Sequence, residues 1–195
     1  MPLYQRPPNA NLNTSKLEEV IVYFLTHPAI IDLGKTKLMK LLYYADFDHF
    51  EQFDTSITGS QYIRLDHGPV PDDALGALKA MQQAGTIAEG KVSAGAFDRF
   101  SYQTERVFDP SLFSADELAT LDRVTERFRA FSTRQIEMAT HGEAPWLAVR
   151  PNEVVPYHLT YYRNNFGAMD LDDEFEPSLV RLTEDDIFAP DIPNT

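Results

Sequence analysis

Lys37-Leu38-Met39-Lys40-Leu41-Leu42-Tyr43-Tyr44-Ala45-Asp46-Phe47 is followed by Ile57-Thr58-Gly59-Ser60-Gln61-Tyr62-Ile63-Arg64 and then by Gly68-Pro69-Val70-Pro71. Leu38, Leu41, Leu42 and Ala45 recur at i, i+3, i+4 and i+7, which predicts a helix from about Thr36 to Phe53 with that face on a core. Lys37, Lys40, Tyr44 and Asp48 fall toward another side of it. Tyr62-Ile63-Arg64-Leu65-Asp66 alternates and predicts a strand, and Gly68-Pro69-Val70-Pro71 reads as a turn that breaks it. Tyr43, Tyr44, Phe47, Phe50 and Phe53 crowd the helix, and on a 3.6-residue period they cannot all face one core. Either the helix is packed on several sides or part of it lines an interface.

Around this centre the chain reads as helices separated by short extended segments. Ser15-x-x-Glu18 looks like a capping box for a helix carrying Leu17, Val20, Ile21, Phe24 and Leu25, which ends near His27-Pro28. A third helix spans Asp72 to about Ala84, with Gly85 just past its end. Thr86 to Val92 and Phe97 to Val107 read as two strands joined by a loop containing Gly95. Ser114-x-x-Glu117 opens a helix with Leu118, Leu121, Val124 and Phe128 on one face, and Ser132 caps another through Met138. His141 to Trp146 reads as a loop, and a short helix or turn is expected around Tyr157 to Arg163. The predicted fold class is α+β: a mainly helical domain with a small three-stranded antiparallel sheet containing residues 61–66, 86–92 and 97–107. The order is reminiscent of a winged helix with residues 86–107 as the wing, an analogy of topology that does not confer DNA binding.

Composition narrows the function. The net charge is −13, and residues 164–195 hold nine acidic residues against one basic, or −8, leaving −5 for the rest. Nucleic-acid binders draw most of their affinity from phosphate neutralisation, so this balance argues against a dedicated one while leaving room for a local basic face. The acidic charge is equally consistent with a basic protein partner and with a simple aid to solubility. There is no cysteine, hence no disulfide framework and no thiolate chemistry, which suits a cytoplasmic protein. Met1 to Pro8 carries no apolar signal region, and no stretch reaches the length of a membrane span. Residues 1–13 read as a flexible segment, 14–168 as the folded domain and 169–195 as an acidic tail.

No enzyme signature is present. His27, His49, His67, His141 and His158 are dispersed, without a His-Glu-x-x-His pair or cysteines to complete a zinc site, so no metal and no cofactor is expected. Asp46 and His49 could share a helix face, but two ligands do not make a site. Gly34-Lys35-Thr36 resembles the end of a phosphate-binding loop, yet Ala29 stands where its first glycine is required. Asp66 and His67 are adjacent on an extended segment and would point apart, so His67 reads as buried or turn-capping. Trp146 reads as a packing residue that pins its loop.

Lys37 to Asp46, Gly59 to Tyr62, Gly68 to Pro71 and His141 with Trp146 together resemble the Panacea domain, the SocA-like antitoxin domain of bacterial and phage toxin–antitoxin pairs. The resemblance covers about residues 15–150. It implies a non-catalytic antitoxin that neutralises a cognate toxin protein, often encoded next door, by direct contact. Two alternatives stand beside it: a winged-helix-like transcriptional regulator, which needs Lys35, Lys37 and Lys40 to join arginines in one patch, and an adaptor delivering a partner to a protease. The toxin-binding surface is expected near Tyr44, Tyr62, Arg64, His67 and Pro69, where the helix, the strand and the Gly-Pro turn must meet and where exposed turn backbone could accept a partner chain.

Overall fold

The computed structural model describes residues 9–31, 33–94 and 97–163, and of residues 91–94 and 97–100 the backbone alone. The expected acidic tail, residues 1–8 and the Gly95 loop lie outside the described residues.

Helix α1 spans Thr14–Thr26 and α2 spans Lys35–Phe53. Helix α2 is the axis of the domain: every residue from Lys37 to Phe47 is buried. The crowded aromatic rings are therefore core. Tyr43, Tyr44 and Phe47 pack against α4 (Ala115–Phe128), strand β1 (Tyr62–Leu65) and a 3₁₀ segment, Tyr157–Tyr162. Tyr44 meets Phe128 at a centroid distance of 4.2 Å, and Phe47 meets Tyr157 at 4.6 Å. Lys37 and Lys40 were expected on a separate side, yet both are fully buried, because no side of α2 faces water along this stretch.

Buried charge on α2 must find partners. Lys37 Nζ donates to the carbonyls of Ile31 at 2.9 Å and Arg129 at 3.3 Å. Asp46 accepts from the Thr58 amide at 2.7 Å and from the Thr58 hydroxyl. The Tyr62 hydroxyl lies 2.8 Å from both Asp46 Oδ2 and the Leu42 carbonyl, and its single proton serves one at a time. Asp46 thereby fixes the loop that leads into β1. Gly59 in that loop has φ +71°, and a Cβ there would lie 2.0 Å from the Asn11 carbonyl oxygen. Only glycine fits.

Strand β2 is Gly68–Pro71, the segment expected to break the sheet. Its prolines are tolerated for a geometric reason. The ladder pairs Leu65 with Gly68, Arg64 with Pro69, Ile63 with Val70 and Tyr62 with Pro71. The Asp72 amide bonds to the Gln61 carbonyl, so hydrogen-bonded pairs alternate from there. Pro69 and Pro71 occupy the non-bonded positions, where a missing N–H faces outward and costs the ladder nothing.

The three-stranded antiparallel sheet is β2-β1-β5, with β5 at Val154–Val155. This corrects the expected strand membership. The Arg64 amide bonds to Glu153 and the Asn152 amide to the Arg64 carbonyl, so β1 has both edges occupied. Strands β3 (Ala88–Ala94) and β4 (Phe97–Gln103) form a separate hairpin, joined to the start of α2 by a single bridge, Gly34 to Ser101. The wing-like hairpin exists, but β1 does not complete it.

The remaining helices are α3 (Ala74–Gln83), α5 (Thr133–His141) and one turn, α6 (Ala144–Leu147), inside the expected loop. A capping box occurs at Ser114/Glu117 as the sequence predicts, and the expected cap at Ser132 proves to be a full box with Gln135. For α1 the cap is Asn13, whose side chain accepts from the Lys16 amide at 3.0 Å, and not Ser15. Among the described residues no helix is long and apolar enough to cross a membrane.

Leu41 is fully buried in this core. Leu41→Ala is expected to lower the unfolding free energy by about 2–5 kcal/mol in denaturant titration. Asp46→Asn replaces an acceptor-only carboxylate with an amide whose N–H groups face donors; a loss of about 1–3 kcal/mol is expected by the same measurement, with no loss expected from Asp66→Asn on the exposed turn.

Candidate functional site

The β1–β2 hairpin turns through Asp66 and His67 and rests on α5. His67 is not buried: its side chain is 78% exposed, and Nδ1 lies 2.8 Å from Glu137 Oε1 on α5. Arg64 leaves β1 and lays its guanidinium carbon 4.0 Å over the Trp146 ring centroid, while donating to the Val149 carbonyl. Beneath it, Trp146 stacks on His141 at 4.1 Å and 15°, and Trp146 Nε1 donates to the Leu65 carbonyl at 3.3 Å. Arg64, Trp146 and His141 thus form a three-layer stack at the C-terminal end of α5. Each layer is partly accessible.

Lys40 supports this surface from below. Its Nζ donates to the Pro69 carbonyl at 2.8 Å, on the outward edge of β2. With Pro69 and Pro71 lacking donors and Pro69 O engaged, this edge has little to offer a partner strand. The expectation that exposed turn backbone could accept a partner chain is corrected accordingly. Gly68 has φ +97°, and a Cβ there would come within 2.7 Å of Thr140 Oγ1 and 2.9 Å of Lys40 Nζ. The hairpin can sit this close only with glycine at that position.

Burial pushes the Lys40 amine down from 10.5 to about 7, against an opposing pull from the Glu137 carboxylate. Burial also holds His141 below its ordinary value, with Glu137 pulling the other way. The Asp46 carboxyl is raised by burial, with its Thr58 and Tyr62 hydrogen bonds restraining the rise.

Of the five expected contact residues, Arg64, His67 and Pro69 come together on the hairpin. Tyr44 and Tyr62 do not join them at the surface. Both are fully buried, Tyr44 against Phe128 and Tyr62 against Phe47 at 5.2 Å, and Pro69 is also buried. Their part in any surface is to hold it from beneath.

A second polar cluster was not anticipated. Glu143 accepts from the Tyr43 hydroxyl at 2.8 Å. Arg163 Nε lies 3.1 Å from Glu143, though not aligned for a hydrogen bond, and the same guanidinium reaches Asp48 and Glu51. Glu143 and Arg163 stand in segments that read as a loop and a turn, and nothing local marks them as partners. Asp46 and His49 go separate ways: His49 Nδ1 meets Thr120 Oγ1 at 3.1 Å. No three His, Asp or Glu side chains among the described residues cluster as a metal would require.

The family described as antitoxin SocA-like, Panacea domain, matches residues 38–147. The chain belongs to this family. No curated protein and no solved structure matches the chain. The matched span of the Panacea domain runs from α2 to the end of α6, and so includes Lys40, the β1–β2 hairpin, α5, His141 and Trp146. The resemblance read from Lys37 to Asp46, Gly68 to Pro71 and His141 with Trp146 is a resemblance to the elements that build this stack. An antitoxin role follows from the family.

Lys40 gives this domain a pH signature. Unfolded, the amine keeps its proton up to about pH 10.5; folded, it releases it near 7. Between these values unfolding takes up a proton, so the Lys40 contribution is present above the unfolded value and is lost as pH falls through 7. Thermal stability is expected to rise between pH 7 and pH 10, and the rise should flatten in Lys40→Met. An identical pH slope in both proteins would place the titrating group elsewhere.

Proposed function

We propose that this Panacea-domain protein neutralises a cognate toxin protein by direct binding, and that the contact surface is the β1–β2 hairpin with the adjoining ends of α5 and α6. Family membership supports the antitoxin class. The observation that carries the surface is the partly exposed Arg64–Trp146–His141 stack. An arginine held flat on a tryptophan is pre-organised, so little side-chain entropy remains to be lost on binding. Arginine and tryptophan are also the residue types that dominate interface energetics. His67, in the hairpin turn, extends the same surface, and Tyr44, Tyr62 and Pro69 maintain its shape from the core.

Leu147 on α6 adds an apolar element at the rim, 58% exposed beside Trp146 in the chain. Scattered single apolar residues are ordinary on surfaces. Here one adjoins an Arg–Trp pair, which is the composition of a binding centre. The domain acts by occupying the toxin and needs no chemistry of its own.

The toxin is expected from the gene adjacent to the one for this chain. Expression of that neighbour alone should arrest growth, and co-expression of this protein should restore it, with the two proteins purifying as a complex. In that assay Arg64→Ala and Trp146→Ala are expected each to weaken binding by about 2 kcal/mol or more. Tyr62→Ala is expected to lose rescue in step with thermal stability, as a core residue should. If Arg64→Ala and Trp146→Ala both keep full affinity while folded, the toxin lies on another face.

A further inference from the structure

The stack is one end of a longer feature. Along α5, Arg134, Glu137 and His141 follow at i, i+3 and i+7, and so share a helix face. Opposite its beginning stands the start of α2. Lys35 and Thr36 from α2 and Ser132, Thr133, Arg134 and Glu137 from α5 line an open cleft of about 540 Å³. Four other surface cations are neutralised, Lys16 by Glu117, Arg106 by Glu19, Arg127 by Asp48 and Arg129 by Glu126, while exposed Lys79, Arg123 and Arg150 make no ion pair among the described residues and do not line this cleft. Lys35 and Arg134 make no ion pair among the described residues, and both are exposed. Glu137, the acid in this cleft, is turned toward His67 at 2.8 Å. Met138 sits four residues from Arg134, on the same side of α5, and is 63% exposed.

We propose that this cleft is the acidic-segment receptor of the domain: Lys35 and Arg134 take carboxylates of the toxin protein, while Met138 receives an apolar side chain from the same segment. The proposal rests on the antitoxin reading and names the chemistry of its partner. Charge complementarity carries it. On a chain of net charge −13, an anionic partner is repelled by the surface at large and finds two unpaired cations facing one cleft. The same geometry disfavours nucleic acid. A phosphate-binding face would need Lys37 and Lys40 as well, and both are buried and bonded to backbone carbonyls. Glu137 in the cleft wall would repel a continuous phosphate backbone, whereas a protein segment can space its carboxylates around it.

The test uses the full chain and the product of the adjacent gene. Lys35→Glu/Arg134→Glu reverses the cleft; Lys79→Glu, at another exposed site on α3, controls for total charge. Because neither cleft cation is buried or paired, thermal melting should match the wild type. Association is expected to slow by about tenfold or more in the double variant at low salt, and its salt dependence should flatten, with Lys79→Glu close to the wild type. Unchanged association in a folded double variant that still neutralises the toxin overturns this proposal and leaves the antitoxin reading intact. Failure of the wild-type chain to bind or neutralise its neighbour overturns both. Salt-sensitive binding of a duplex DNA oligonucleotide, lost in the same double variant, assigns the cleft to nucleic acid and overturns the acidic-segment receptor.

Discussion

A helix buried on every side must dispose of the charges it carries inward, and much of this domain follows from how α2 does so. Lys37, Lys40 and Asp46 each meet backbone groups from chain that has few partners of its own. Lys37 closes the carbonyls of Ile31 and Arg129, at the approach to α2 and just past the end of α4. Lys40 holds the edge of β2, and Asp46 holds the loop before β1. A buried charge without partners would cost several kcal/mol, so these residues both demand and specify the arrangement around them. The apolar face of α2 supplies the bulk of the burial; the charged positions decide which loops sit where.

The proposed contact surface is a consequence of this clamp. Because Lys40 holds the Pro69 carbonyl, Gly68 lies close against Lys40 and Thr140, and the hairpin turn is laid along α5. That contact brings Arg64 over Trp146 and His67 beside Glu137. Prolines on the outer strand and the lysine on its carbonyl leave this edge of the sheet little backbone to offer a partner strand, so the proposed contact is one of side chains.

Features with a local cause were legible in the sequence. The capping box at Ser114 and the cap at Ser132 depend on residues three apart, the α2 core face on a helical period, and the paired strands of the wing-like hairpin on strand composition. The errors share a different cause. Asn13 displaces Ser15 as the cap of α1 while its own amide is held by the Thr58 carbonyl, a contact across the fold. Gly68–Pro71 reads as a breaker because the rule against proline in strands assumes a ladder on both sides, whereas β2 has one. The third strand of the sheet, Val154–Val155, is too short to carry a period and forms because β1 offers it an edge.

For function the division is similar. The ordered residues from Lys37 to Trp146 by themselves determined the family and, with it, the antitoxin class, because a residue order is a property of the chain. Which of those residues meet solvent was decided by tertiary structure alone. Lys37 and Lys40 carry the same charge as Lys35, and one helical turn separates exposure from complete burial. Tyr44 and Tyr62 look as suited to recognition as Arg64, yet the core closes over the tyrosines and leaves the arginine on its tryptophan. Side-chain chemistry is written residue by residue, but accessibility is set by what packs alongside, and that is known only when distant segments have been placed.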